Sequence, residues 1–390
     1  LALVVANLAY FFAVTQRTSL GVASIEASHR FSTSASELAS LAVLQLAVYA
    51  GMQVPVGIFL DRFGSRVLLS LGAVAMGVGQ ILVAFAPSLQ VAIVGRMLVG
   101  LGDACTFISM IRMANSWLSG VRASRAQQWM ATLGQLGQVA SAVPFAILLH
   151  LSGWQAAFAT LGSVSFISAA FIWLLAQDAP TVLAPVAPNL RKVISSLFVN
   201  LKKSSTRMAF WTHFSTQSSG TMFALLWGVP FVTSGESYSA GTASALLILF
   251  ILTNATLGPL IGSLAEKRES FRSLIIFWAP LAGMLAWIVV LGWPTRAPFW
   301  LLVVLVVVIA IGGPTSMLSF DYTRMHVPKS QLGATNGFVN IGGFLASLTM
   351  MAAIGFLLDV LNAGNKKATL YDLEHFRVAL PIQFFVTIFG

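Results

Sequence analysis

Long apolar blocks, separated by short polar stretches, are the first feature of this chain. A helix that crosses a hydrocarbon core needs about 20 such residues. Blocks of that order lie at 1–25, 36–60, 67–86, 90–113, 126–150 and 154–177. A second series lies at 208–232, 240–264, 272–292, 298–321, 332–358 and 375–390, the last one short. Strands of a membrane barrel would be about 10 residues long and would alternate in polarity, which these blocks do not. The pattern predicts an all-α membrane protein of twelve transmembrane helices, six of them within 1–178 and six within 207–390.

The segment between the two series, 179–206, carries Pro180, Pro185 and Pro188 and reads as a linker. Within it Val193, Ile194, Leu197, Phe198 and Leu201 share one helical face, with Arg191, Lys192, Lys202 and Lys203 at the ends. That arrangement suits a short amphipathic helix lying on anionic membrane lipids. A solvated tether with incidental periodicity is the plainer alternative.

Composition bears this out. Only 9% of residues are charged, against roughly 25% in soluble domains, too few to cover a soluble fold of this size. The single cysteine, Cys105, lies in an apolar block; it excludes an intrachain disulfide and a multi-cysteine metal site, and reads as packing. The net charge of +10 is explained by topology rather than by nucleic acid. Taking alternate loops from the 60–67 turn onward, one set holds 15 Lys and Arg and the other holds 5, with Arg17 and Arg96 inside blocks. Basic residues favour the cytoplasmic side, so the first set and both termini are expected there.

The turn after the second block reads Gly57-x-x-x-Asp61-Arg62-x-Gly64-x-Arg66. At the matching place in the second series stands Gly262-x-x-x-Glu266-Lys267. Glycine, three residues, acid and base recur in both, which indicates an internal repeat of the kind that builds one class of transporters. The first turn resembles the loop signature of the major facilitator superfamily. The stretch from Gly95 to Ala104, with Arg96, Gly100 and Gly102, resembles that family's fourth-span pattern. The resemblance implies two pseudo-symmetric six-helix bundles around a central cavity. It also implies a cytoplasmic gate in which Asp61 docks on the start of the eleventh helix, near Gly333 and Ala334. By pseudo-symmetry Glu266 would face the start of the fifth helix, near Ser124 to Ala126. Helix N-termini attract acids, and Gly57 and Gly64 would permit close approach and a tight turn. A plain orienting loop is the alternative, although Arg and Lys alone would serve that purpose.

Ionisable groups inside spans are costly and usually functional. Arg17 lies in the first block, and Arg96 and Asp103 lie in the fourth, seven residues apart and therefore on one helical face. The family resemblance places all three in the central cavity. Two cations against one acid would leave it net positive and suited to a carboxylate or phosphate. Asp103 is the candidate proton carrier of this half. The chain is most similar to the organic anion–cation symporter branch, on Arg17 in VTQRTSLGVA, the QVPVGIFLDRFG turn, and Arg96 to Asp103. That branch commonly has an acid where this chain has Gln16, which puts a two-proton mechanism in doubt. A permanent ion-pair network bracing two helices is the competing reading of Arg17, Arg96 and Asp103.

Polar side chains mark further faces. Gln45, Tyr49 and Gln53 recur every four residues, Asn7, Tyr10 and Arg17 fall near one face, and so do His213, Gln217 and Thr221. Asn336 and Asn340, with Gln127, Gln128, Gln135 and Gln138, complete the set. Each would hydrogen-bond a substrate or bridge neighbouring helices. Of these, Tyr10, Gln45, Tyr49, His213, Gln217, Asn336 and Asn340 are the candidates for substrate binding beside Arg17 and Arg96. Gly134, Gly137, Gly342 and Gly343 are expected at close helix crossings. No phosphate-binding Gly-Lys-Ser/Thr loop, catalytic triad or metal cluster is present, so no cofactor, metal or enzymatic activity is expected.

The sequence therefore points to a secondary transporter of a small organic anion, coupled to protons and acting by alternating access. An efflux antiporter for amphipathic drugs or lipids is the alternative, given 28 Phe and 10 Trp. Short loops, and an Asn-x-Thr sequon at Asn254 that falls inside a span, suggest a bacterial plasma membrane, and a monomer is expected.

Overall fold

The computed structural model describes residues 1–118, 126, 129–130, 132–178, 190–267, 269–328, 332–364 and 371–390. The side chains of Asp61, Arg62, Glu266, Lys267, Gly333 and Ala334 lie outside the described set, as do Ser124, Arg125, Gln127 and Gln128. The expected Asp61 and Glu266 dockings therefore fall outside the described residues.

The chain is helical throughout its described length, with no strand among the described residues. The first helices are α1 (Ala2–Val22), α2 (Ser24–Phe31), α3 (Ala35–Phe85) and α4 (Leu89–Trp117). A turn of helix at Gly137–Ala140 and a π-helical turn at Ser141–Phe145 lead into α5 (Ala146–Leu175), followed by α6 (Leu190–Leu201). Next comes α7 (Ser204–Met222), which runs on through π-helical turns at Phe223–Trp227 and Phe231–Gly235. Then follow α8 (Ala240–Lys267), α9 (Glu269–Leu291), α10 (Phe299–Ala310), α11 (Gly312–Met317) and α12 (Ser319–His326). The last are α13 (Leu332–Gly364), α14 (Leu373–Ala379) and α15 (Ile382–Phe389).

Among the described residues, 8 helical stretches are long and apolar enough to cross a membrane. Neither α1 nor α7 is one of them, because each carries a polar face. Large apolar side chains also point outward, Leu151 at 77%, Leu174 at 75% and Phe277 at 63% exposure. Such a surface suits lipid rather than water.

At 51 residues, α3 would be about 77 Å long if straight, against a hydrocarbon core of about 30 Å. It breaks at Gly64, where φ is 81° and ψ is 169°. A side chain is disfavoured at such a φ, so this glycine lets one apolar run end and the next begin. The sequence reading left a gap at 61–66; the structure replaces it with a single residue flanked by helix. The same device recurs in α5 at Gly153, with φ 75°.

An acid seals the break. Asp178 Oδ1 accepts the Arg66 backbone N–H at 2.8 Å, and a Cβ on Gly64 would stand 2.6 Å from Asp178 Oδ2. The Arg66 guanidinium lies 4.8 Å from the Trp173 ring centre and donates to the Trp173 carbonyl. By contrast, a Cβ on Gly57 would meet nothing within 4 Å among the described residues, so the close approach expected there is not seen.

The chain forms two compact units. One comprises Leu1–Ser19 with Leu44–Ser196, the other Leu20–Val43 with Leu197–Gly390. Glycines set the crossings inside each. In the first unit a Cβ on Gly134 would lie 1.9 Å from Tyr10, and one on Gly137 would lie 2.2 Å from the Phe11 carbonyl oxygen. In the second, a Cβ on Gly342 would lie 2.7 Å from the Phe210 carbonyl oxygen. These approaches bring the polar faces of α1 and α7 against neighbouring helices.

The second unit also holds the start of α3. Ser34 and Glu37 form a reciprocal cap, Ser34 N–H donating to Glu37 Oε2 at 2.9 Å and Glu37 N–H to Ser34 Oγ at 3.3 Å. Asp359 of α13 adds a second acid, accepting the Ala35 and Ser36 N–H groups at 2.6 and 2.9 Å and the Ser36 hydroxyl. Gly355, one turn before, allows this, since a Cβ there would lie 2.8 Å from the Ala35 carbonyl oxygen.

Candidate functional site

The seven-residue spacing within α4 places Arg96 and Asp103 on the face that packs against α1. Asp103 is fully buried and meets Arg17 as a fork. Arg17 Nε donates to Oδ2 at 2.6 Å and Nη2 to Oδ1 at 2.8 Å. The Arg17 side chain keeps 12% exposure while Asp103 has none. The guanidinium also lies 4.9 Å from the ring centre of Tyr49 in α3, a cation–π contact worth about 0.5–2 kcal/mol.

Arg96 does something else. At 1% exposure it is among the largest fully buried side chains. Nη1 donates to the Gln16 carbonyl at 3.3 Å and to Ser19 Oγ at 3.2 Å, and Nη2 donates to the Arg17 carbonyl at 3.1 Å. Both terminal nitrogens thus end on the α1 segment that carries Arg17, while Nε has no hydrogen-bond partner among the described residues. The sequence reading had it reaching into a cavity. The structure instead buries Arg96, whose terminal nitrogens are taken up by the Gln16 and Arg17 carbonyls and Ser19 of α1.

Gln16 donates from Nε2 to Ser165 Oγ at 2.5 Å, and Thr18 shares a hydrogen bond of 2.7 Å with Ser141. Tyr10 accepts from Gln135 Nε2 at 3.3 Å, and Gln138 donates to Gln135 Oε1. Tyr10, Gln45 and Tyr49 are all buried. Gln45 Nε2 and Asn7 Oδ1 have no hydrogen-bond partner among the described residues, whereas Gln53 donates to the Tyr49 carbonyl within its own helix. Among the described residues, the interior of this unit therefore holds two guanidinium groups and one carboxylate, with amides and hydroxyls around them.

In the second unit, buried His213 donates from Nδ1 to the Ser316 carbonyl at 3.2 Å. A carbonyl can only accept, so Nδ1 carries the proton and Nε2 presents a lone pair. Neither Nε2 nor Gln217 Oε1 has a hydrogen-bond partner among the described residues. A Cβ on Gly343 would come within 2.7 Å of the His213 ring and 2.9 Å of Gln217 Oε1. Asn340 neighbours His213, while Asn336 is engaged elsewhere, accepting from Thr323 Oγ1 at 2.6 Å. The structure thus brings His213, Gln217 and Asn340 together and sets Asn336 apart.

Two helix-capping acids escaped the sequence reading. Asp178 and Asp359 lie in or beside apolar segments, and only three-dimensional packing shows that each caps the start of a helix segment of α3. The Ser34–Glu37 cap was legible as Ser-x-x-Glu ahead of an apolar block.

Residues 6–360 match the sequence profile of the Major Facilitator Superfamily. The probable sulfoacetate transporter of Cupriavidus necator is 27% identical over 158 residues, spanning 40% of this chain and only 37% of that protein. The D-galactonate transporter of Escherichia coli O6:H1 is 22% identical over 383 residues, 92% of this chain and 88% of that one. A bacterial homologue of the human lysosomal transporter Spinster, solved inward-facing and unoccupied, has the same fold. Its TM-score is 0.78 at 15% identity, over 100% of this chain and 94% of that one. With the profile matched along most of its length and the fold shared, this chain belongs to the Major Facilitator Superfamily, whose members are multi-pass membrane transporters rather than enzymes.

Proposed function

We propose that this chain is a secondary transporter of a small organic anion, coupled to protons and working by alternating access. Twelve spans in two six-helix halves, with both termini cytoplasmic in a bacterial plasma membrane, complete the reading. The Arg17–Asp103 fork carries it. A guanidinium edge that grips one carboxylate in two parallel bonds suits the carboxylate of a substrate equally well. Two carboxylates cannot hold the same edge. Protonating Asp103 removes its claim on Arg17 and frees the edge, so proton and anion enter together. When the anion leaves, Arg17 reclaims Asp103 and the proton departs. The relatives named for sulfoacetate, a dianion, and for galactonate, a monoanion, support an organic anion as the substrate class and leave its charge open.

Arg96 acts in this scheme by fixing the α1 backbone at Gln16 and Arg17, and thereby aiming the Arg17 fork. Tyr49 supports the guanidinium from its other face. His213, Gln217 and Asn340 supply uncharged hydrogen-bonding groups, suited to hydroxyls on the substrate.

The test is uptake of labelled organic acids by proteoliposomes under an imposed inward proton gradient. Accumulation is expected, and Arg17→Ala should abolish it. Uptake indifferent to the gradient would remove the coupling. Unchanged affinity in Arg17→Ala would remove the assigned role of the fork. Export of amphipathic cations in its place would favour an efflux antiporter.

A further inference from the structure

We infer that the transported species presents a single negative charge and moves with a single proton, so that a complete cycle carries no net charge. This rests on the reading of Arg17 and Asp103 above and fixes what that reading leaves open, the charge of the substrate and the coupling ratio.

The ionisable groups that act on the Arg17–Asp103 fork are, among the described residues, Tyr10 from α1, Tyr49 from α3, and Arg96 and the thiol of Cys105 from α4. Tyrosine and cysteine ordinarily titrate near 10 and about 8.5, arginine above about 12. Asp103 is thus the one carboxylate in the set. One carboxylate accepts one proton, and among the described residues around the fork there is no second carboxylate to take another.

The cations give the complementary limit. Arg96 is 1% exposed; Nη1 donates to the Gln16 carbonyl and to Ser19 Oγ, and Nη2 donates to the Arg17 carbonyl, all on α1. Nε has no hydrogen-bond partner among the described residues but is buried with the rest of the side chain, so Arg96 offers a ligand no exposed edge. Arg17 alone can be vacated, and what vacates it is a single carboxylate. Exchanging that carboxylate for one anionic group, while Asp103 takes a proton, leaves the buried charge at +1 in both states. Among the described buried residues, a second negative charge on the substrate would meet no further cation with an exposed edge. In the second unit no Lys or Arg is buried among the described residues, so its polar cluster does not supply one. Buried charge without a partner is expensive, so keeping its sum constant keeps the loaded and empty forms comparable in cost.

The measurement uses the unmodified protein in proteoliposomes. The panel contains monocarboxylates such as D-galactonate, dicarboxylates such as galactarate, and sulfonates with and without a carboxylate. Reversal of net flux is located by balancing a substrate gradient against a pH gradient. One proton per monoanion predicts that each pH unit balances a tenfold substrate gradient. Initial uptake should change by less than twofold when a potassium diffusion potential, negative inside, is imposed without a pH gradient. Monoanions should be transported in preference to dianions. A balance of a hundredfold per pH unit would overturn the inference and would point to a second carrier such as His213. Acceleration by the potential, or preference for dianions, would overturn it too. No uptake of any panel member under either gradient would overturn the underlying anion reading, and this inference with it.

Discussion

Replacing Asp103 by Asn tests the competition between proton and substrate without disturbing shape. Asparagine keeps an acceptor oxygen but cannot take up a proton or carry a charge. In the native site two charge-assisted bonds, of 2.6 and 2.8 Å, hold Arg17. Bonds of this type contribute about 1.5–3 kcal/mol each. Asn forfeits at least one of them, along with the ionic character of the other. Arg17 then becomes more available to an anion by a factor of roughly 10–150, taking about 1.4 kcal/mol per tenfold. That gain should appear at alkaline pH, where the native site is closed by its own carboxylate. At acidic pH the variant and the native protein should converge. Anion affinity measured by intrinsic tryptophan fluorescence from pH 5.5 to 8.5 should therefore slope in the native protein and be flat in Asp103→Asn. Exchange of labelled for unlabelled anion should persist in the variant, while accumulation driven by a pH gradient should vanish. If Asp103→Asn keeps the native pH slope, Asp103 is not the proton site and the competition argument fails.

Three further outcomes follow from the same structure. Gly64→Ala forces a side chain onto φ 81° and against the Asp178 carboxylate; a loss of about 1–2 kcal/mol or more is expected, seen as a lowered unfolding temperature that Asp178→Ala restores only in part. Asp359→Ala removes the second acid from the start of α3, costing about 1–2 kcal/mol, and should speed hydrogen exchange at the Ala35 and Ser36 amides, with Asp359→Asn in between. Burial raises the pKa of Glu236, against the opposing pull of the Ala297 N–H, Arg377 and Arg296. A carboxyl with a raised folded-state pKa binds more protons folded than unfolded. Stability should thus fall as pH climbs from the unfolded value, about 4.3, to the folded one, and level off above it. Glu236→Gln should flatten that stretch of an unfolding-temperature profile; an unchanged profile would refute the assignment.

The long apolar blocks announced the helices because membrane burial demands continuous apolar runs, and the spacing of Arg96 and Asp103 announced their common face. What the spacing could not supply was partner choice. Two guanidinium groups competed for Asp103, and only the crossing of α1 and α4 decides that Arg17 holds it while Arg96 turns to carbonyls. Buried tyrosines and glutamines on a polar face look alike in sequence, whether they line a cavity or bridge helices. Tyr49 and Gln53 share that face, yet one lies under Arg17 and the other bonds within its own helix. The acids at Asp178 and Asp359 act on helix starts more than a hundred residues away in the chain, and no local pattern encodes such a pairing. Gly64 was legible as a turn residue, but that it alone breaks the helix depends on the backbone path.

The central claim is that an anion can hold Arg17 only when a proton holds Asp103. It is tested most directly by following protons as ligand binds. Purified protein in weakly buffered solution at pH 7.5, mixed with a transported anion and a pH indicator, should take up close to one proton for each anion bound, and Asp103→Asn should take up none. Binding of the anion by the native protein with no proton uptake would contradict the account.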